Sequence, residues 1–327
     1  MKRIDPYAAM LACAAALVFY AGAACAQQDY PNRPLRMIVP WPPGQAADLV
    51  GRVMAQKIGE ALGQQIVIDN RAGAGGMIGT DVAAKATPDG YTLLSASSGP
   101  VSINPLLQKA AYDVERDLTP VVNVCLSPFL LVTVPQFPAQ NAREFVALLK
   151  ANPGKYTFAS SGTGATAHLV AEWFNSMAGV QVTHIPYKGS VPALTDVISG
   201  RVAYAFETVA ATMPHIKSGR LKTYGLSMGR PSALAPGIEP IAITANLPGF
   251  DAAAWIGVMV TAGTPKAIVD KLAAAAETAM QSPEVLEKLL NIGVEVDYRR
   301  PAEFTRYLKD QQMRYAEIIR KGGIKIE

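Results

Sequence analysis

A chain of 327 residues, half of them hydrophobic and 17% charged, suits one or two globular domains with real cores. Its formal net charge of +4 is gathered into neither a patch nor a basic helix, which argues against a nucleic-acid partner. Of the three cysteines only Cys125 lies beyond residue 26, so an internal disulfide is excluded for the mature chain and stability must come from core packing.

The first 26 residues read as an export signal. Lys2 and Arg3 form a positive start, no charge occurs between Asp5 and Asp29, and Met10–Ala23 is apolar. Ala24-Cys25-Ala26 is an A-x-A cleavage site. About 14 apolar residues are too few to span a bilayer comfortably. A lipid anchor on Cys25 is disfavoured by Gly22, where a larger aliphatic residue is usual. Cleavage before Gln27 would leave 301 residues and lower the formal charge to +3.

Leu35–Val39 is expected as a buried first strand, ending in the rigid turn Pro40-Trp41-Pro42-Pro43-Gly44-Gln45-Ala46-Ala47. The helix after it places Leu49, Val50, Val53, Met54, Ile58 and Leu62 on one face. Asp48 falls near its first turn, where the dipole favours a carboxylate; it either serves the helix start or shapes a ligand loop. Strand Gln65–Asp69 leads to a glycine-rich turn, Asn70–Gly79, containing Ala74, and a helix over Thr80–Ala86. A third strand, Tyr91–Ala96, ends in Ser97-Ser98-Gly99-Pro100. Three successive strand-to-helix turns thus carry small residues at strand C-termini, the edge where open α/β sheets hold ligands. Val121–Cys125 and Phe129–Val134 are expected as strands around Ser127-Pro128, a crossing into a second lobe. Ala142–Lys150 is a helix.

Tyr156–Met177 then repeats the recipe in its clearest form. A short strand to Ser160 turns through Ser161-Gly162-Thr163-Gly164 into a helix with Leu169, Val170, Trp173, Phe174 and Met177 on one face. The first amides of a helix lack internal partners, and the macrodipole places about half a positive charge there, so this is an anion site in outline. Ser161, Thr163 and Thr166 add hydroxyls that could cap the helix or donate to an acid. His168, on the first helical turn, could touch a bound acid or bond locally. Gly162-x-Gly164-x-x-Ala167 also fits a dinucleotide fingerprint, but the next strand, Gln181–Tyr187, lacks the acidic residue that motif needs. Helix Val191–Ser199, strand Arg201–Phe206, helix Val209–Ser218 and strand Leu221–Ser227 follow. Pro231–Pro248 is a loop, and Ala254–Val260 a strand returning to the first lobe. Helices over Pro265–Gln281, Pro283–Ile292 and Pro301–Lys321 close the chain. Alternating strands and helices argue for parallel sheets.

Catalytic patterns are weak. Gly225-Leu226-Ser227-Met228-Gly229 matches a nucleophile elbow, but His168, His184 and His215 all precede Ser227, and Pro231 stands where the elbow helix should form. No two histidines have metal-binding spacing, and no Walker motif occurs, so no metal ion or cofactor is expected.

Six ordered motifs carry a family resemblance: PWPPG (Pro40–Gly44) with Asp48, DNRAGAGGMIG (Asp69–Gly79), PDGYTLL (Pro88–Leu94), ASSGTGATAH (Ala159–His168), PYKGSVPAL (Pro186–Leu194) and PHIKSGRL (Pro214–Leu221). Over nearly the whole mature chain, the sequence resembles the tripartite tricarboxylate transporter receptors, or Bug receptors, which are periplasmic solute-binding proteins. The resemblance implies an α/β, two-lobed type II periplasmic-binding fold, each lobe a mainly parallel sheet flanked by helices, closing on a small carboxylic acid. Its lobes would be 27–127 with the returning segment 253–327, and 128–252. It implies facing turns, Pro42–Asp48 and Ser160–Thr166, that hold the acid by amides, hydroxyls and water. The expected ligand-binding set is Trp41, Pro43, Gly44, Gln45, Ala46, Asp48, Ala74, Ser97, Ser98, Ser161, Gly162, Thr163, Thr166, His168, Tyr187 and Glu207. The chain departs from the family where Gln45-Ala46-Ala47 replaces a glycine and a small hydroxyl residue, and where Glu207 replaces a common Asp. Gln45 would then either tune ligand choice or point to solvent at the rim. The expected protein is a monomeric, non-catalytic receptor serving a tripartite membrane transporter or a sensor kinase; a periplasmic serine hydrolase using Ser227 or Ser161 is the alternative.

Overall fold

The computed structural model describes residues 30–322 and 324, so the expected signal, residues 1–26, lies outside the described residues. Ten strands form one sheet; eight lie in the order β2 (Ile66–Asn70), β1 (Leu35–Val39), β3 (Thr92–Ser97), β9 (Ala253–Thr261), β4 (Leu118–Thr133), β7 (Tyr204–Thr208), β5 (Thr157–Ser160), β6 (Thr183–Pro186), and the other two, β8 (Lys222–Leu226) and β10 (Glu295–Arg299), pair with β4. Strands β1, β2 and β3 are parallel. So are β5, β6 and β7. Between the two sets run β4 and β9, antiparallel to each other and to the strands beside them.

The arrangement is two-lobed because β4 changes partners along its length. From Leu118 to Pro128 it pairs with β9; from Phe129 it pairs with β7, and from Leu130 with β8 (Lys222–Leu226). The two short strands expected around Ser127-Pro128 are therefore one strand of 16 residues. Register shifts between Pro120 and Val122 and between Asn123 and Cys125 coil it enough to serve both halves, and the ladder survives proline at such irregular places. The sheet is accordingly mixed rather than parallel throughout. Strand β10 (Glu295–Arg299), antiparallel to β4, escapes a reading by hydrophobicity because its sequence, EVDYR, is mostly charged.

Each half has its own core. Helix α1 (Ala46–Leu62) buries Val50, Met54 and Ile58 against β1 and against Leu272 and Ala276 of α10 (Lys266–Met280). Between α1 and α10 the chain forms, in order, α2 (Met77–Ala84), α3 (Asn104–Leu107), α4 (Val114–Asp117), α5 (Ala142–Ala151), α6 (Thr166–Ala178), α7 (Ser190–Ile198), α8 (Val209–Lys217) and α9 (Ile241–Thr244). In the second half Phe145 of α5, Phe174 of α6, Phe158, Tyr204 and Phe206 pack as an aromatic core. A third cluster is shared, joining Ile38 and Leu94 to Leu130 and Ala205 through Trp255 and Phe304. After α11 (Pro283–Ile292) and β10, helix α12 (Pro301–Gly322) spans both halves. Its Tyr315 and Ile318 cluster with Ile103 from one half and Leu169 from the other. Among the described residues no helix is long and apolar enough to cross a membrane.

Candidate ligand-binding site

The parallel strands of both halves end in loops that meet. At the end of β1 the chain turns through Pro42–Gln45, with Gly44 at φ +87°. Asp48 ties this loop down. Its carboxylate is 1% exposed and accepts from the Gly44 N–H at 2.9 Å, Arg52 Nε at 3.0 Å and Asn70 Nδ2 at 2.8 Å; Asn70 Nδ2 also donates to the Trp41 carbonyl. Burial alone would raise the titration of Asp48, but hydrogen bonds from Arg52, Asn70 and Gly44 outweigh it and hold the carboxyl below its usual range. Asp48→Ala should lower unfolding stability by about 2–3 kcal/mol, since it strands the donors of a charge-assisted cluster. Urea unfolding of parent and variant measures this, and an unchanged midpoint would rule out the anchoring role.

Neither helix start is closed by a side chain. Gln45 is the N-cap of α1 and Ala165 that of α6, both extended and neither with a side-chain cap bond. The hydroxyls of Ser161 and Thr163 are thus not consumed by capping, and the first amides of both helices remain without intrahelical partners. Gly162, at φ +143°, and Gly164, at φ +75°, shape the second loop. Beneath it Ser160, fully buried, accepts from the Gly162 N–H at 3.2 Å, and its hydroxyl lies within hydrogen-bond reach of both His184 Nε2, at 2.7 Å, and the Gly162 carbonyl, at 3.1 Å.

A third loop completes the arrangement. Ser97 Oγ accepts from Trp41 Nε1 at 2.9 Å, and Ser98 Oγ lies 2.9 Å from Thr166 Oγ1, a hydroxyl pair that joins the loop after β3 to the start of α6. Asn104 Nδ2 donates to the Gly75 carbonyl and braces the glycine-rich loop, where Ala74 adopts φ +47°.

The expected residues separate into three groups. Trp41, Ser97, Ser98 and Thr166 are brought together as above. Pro43, Gly44, Gln45, Ala74 and Thr163 are exposed, while Ala46, Ser161, Gly162 and Tyr187 are half-buried. The Tyr187 hydroxyl donates to Asp196 at 2.7 Å. Asp48, His168 and Glu207 are buried, at 1%, 4% and 1% exposure, and their bonds run to their own lobes. His168 Nδ1 accepts from the Gly164 N–H at 3.3 Å, and its ring stacks on His184 at 3.9 Å. Burial, and then the neighbouring His168, push His184 down to about 3, so the His184 ring is uncharged at neutral pH. Sequence reasoning missed Ser160, His184, Asn70 and Asn104 as loop supports. The signal was available in part, since Asn70 and Ser160 each close a strand just before a glycine-rich turn.

Ser227 is no nucleophile. It is fully buried, donates to the Ala252 carbonyl at 2.6 Å and accepts from the Phe129 N–H at 2.9 Å, stapling β4 to the segment entering β9.

A two-lobed α/β molecule whose helix starts and hydroxyls converge between its halves has the build of a periplasmic solute-binding protein. The match to the tripartite tricarboxylate transporter family receptor profile, over residues 50–324, identifies the chain as a member of that family. It is 31% identical to the periplasmic binding protein BugD, which superposes with a TM-score of 0.78 over 91% of this chain and 100% of that one. Rpa4515 of R. palustris, solved with adipate, is 30% identical with a TM-score of 0.82, covering 90% and 99%. MatC (Rpa3494) of Rhodopseudomonas palustris, with bound malate, is 29% identical with a TM-score of 0.78, covering 89% and 100%. The chain is therefore a receptor and not an enzyme.

Proposed function

We propose that this receptor captures a small organic carboxylate in the periplasm by closing its lobes, and delivers it to a tripartite membrane transporter or a sensor kinase. The ligand class is a di- or tricarboxylate, an acidic amino acid or an aromatic acid. The lobes are 27–127 with 253–327, and 128–252, a division supported by the partner change in β4 at Pro128–Phe129 and by the start of β9 at Ala253. The observation that carries the reading is the Ser98–Thr166 pair, which brings the loop after β3 of one lobe against the uncapped start of α6 in the other. Neither turn contains Lys or Arg. Amides and hydroxyls can hold an anion without a counter-charge that would be costly to bury unpaired. The adipate and malate held by two relatives fit the same chemistry.

Thermal unfolding with mono-, di- and tricarboxylates tests this. A binding acid at a hundred times its Kd should add about 2.7 kcal/mol of stability and raise the melting temperature by several degrees, with a more compact particle in solution scattering. The reading is lost if no acid of the panel shifts the transition.

A further inference from the structure

Glu207, next to last in β7, is a carboxyl whose Oε1 has no partner although the residue is 1% exposed. Strand alternation puts it on the face of Ala159 and Ala205, opposite Phe158 and Phe206. Its Oε2 accepts from Ser190 Oγ, at the start of α7, at 2.7 Å. The Thr208 N–H and the Ser161 hydroxyl stand beside the carboxyl, the latter without completing a bond to Oε1. Ser161 belongs to the loop proposed to hold the acid, so this inference rests on that reading.

Among the described residues Glu207 forms no ion pair, and Lys222 of β8 donates instead to the Phe137 and Ala139 carbonyls. On the loop into α7, Tyr187 bonds Asp196, which pairs with Arg201, and Lys188 is exposed. His168 and His184 stack on Phe158, on the other face of the sheet. His215 and Lys217 sit in the last turn of α8, and β5 carries no ionisable residue. The neighbours on β4 and β8 include Leu130 and Leu226.

An ionised carboxyl here would draw the Ser161 hydrogen to itself and leave lone pairs toward an arriving anion, which repel it. Because Oε2 already accepts from Ser190, a proton on the carboxyl goes to Oε1. We propose that ligand binding takes up one proton onto Glu207 Oε1, which then donates to Ser161 Oγ and frees the Ser161 hydrogen to donate to the ligand carboxylate. Burial, outweighing the donors Ser190, Thr208 and Ser161 around it, raises the carboxyl to about 7, so the proton is available near neutral pH. Glu207 is in this scheme a positioning residue that makes affinity depend on pH.

Calorimetry with adipate, from pH 6 to 8.5 in buffers of different ionisation heat, decides the matter. Above about pH 7 adipate is essentially fully ionised, since free carboxyls titrate at roughly pH 4 to 5, so uptake is read there. The parent should take up close to one proton per adipate at pH 8, and its Kd should rise up to about tenfold per pH unit above about 7. Glu207→Gln, which presents an amide donor to Ser161, should bind with no uptake and a flat pH profile. Ser161→Ala should bind weakly at every pH with no uptake. Binding by the parent without proton uptake overturns the proposal by itself, whether or not the variants fold, and so does a parental pH slope in Glu207→Gln. Failure of every acid in a panel of mono-, di- and tricarboxylates, acidic amino acids and aromatic acids to bind at any pH removes the acid-binding reading and this proposal with it.

Discussion

Gly162→Val is expected to abolish acid binding while the circular dichroism spectrum stays that of the parent. At φ +143° this position lies where a β-branched residue is strained, at a cost of roughly 1–3 kcal/mol. Space is not the obstacle, because an added Cβ would meet only the Tyr187 carbonyl, at 3.4 Å. What fails is orientation. Both the N–H and the carbonyl of Gly162 are held by Ser160 Oγ, and relaxing φ breaks those bonds and turns the loop amides away from the helix start. The loop is half-buried and sits above the aromatic core, so the strain is relieved by moving the loop. Titration calorimetry with whichever acid of the carboxylate panel binds the parent should show at least a hundredfold loss, against a loss of about 1–3 kcal/mol for Ser161→Ala, the range for a hydrogen bond to a charged group. A folded Gly162→Val protein with parental affinity would move the site away from this loop.

The next largest effect is expected in stability as a function of pH. Glu207 holds its proton to about 7 in the folded chain, against an ordinary value of 4.5. Between those values the folded state keeps a proton that the unfolded state has lost, so stability falls as pH rises. The contribution is complete below about pH 4.5 and is lost as pH passes about 7, amounting to roughly 3 kcal/mol across the window. His184 has the opposite slope. Its folded value of about 3, against 6.5, makes acidification destabilising below 6.5, but parent and Glu207→Gln share that term. Urea unfolding of both proteins at pH 5 and pH 8 should therefore show the parent losing on the order of 2–3 kcal/mol relative to the variant as pH rises. Parallel curves would mean that Glu207 titrates as an ordinary carboxyl.

Local sequence determined the elements that frame the site. The apolar spacing of Val50, Met54 and Ile58 defines α1, and Leu169, Val170 and Phe174 define α6, because burial of one face needs only residues a turn apart. Small residues after β1, β2, β3 and β5 mark the loops, since glycine at Gly44, Gly162 and Gly164 permits positive φ. The ordered motifs were sufficient to place the chain in its family.

Tertiary structure alone decided how side chains were shared among those loops. Asp48 and His168 lie where an acid would bind, by sequence, yet their partners are Gly44, Asn70 and Gly164 of their own lobes. Nothing local reveals that His184, 24 residues beyond Ser160, would support the same loop, or that Ser190 would bond one oxygen of Glu207 and leave the other bare. The single 16-residue β4 and its change of partner depend on β9, β7 and β8, all far along the chain. Periodicity reports which face of an element is buried; it carries no record of which distant atom receives a hydrogen bond, and that assignment sets the electrostatics of the cleft.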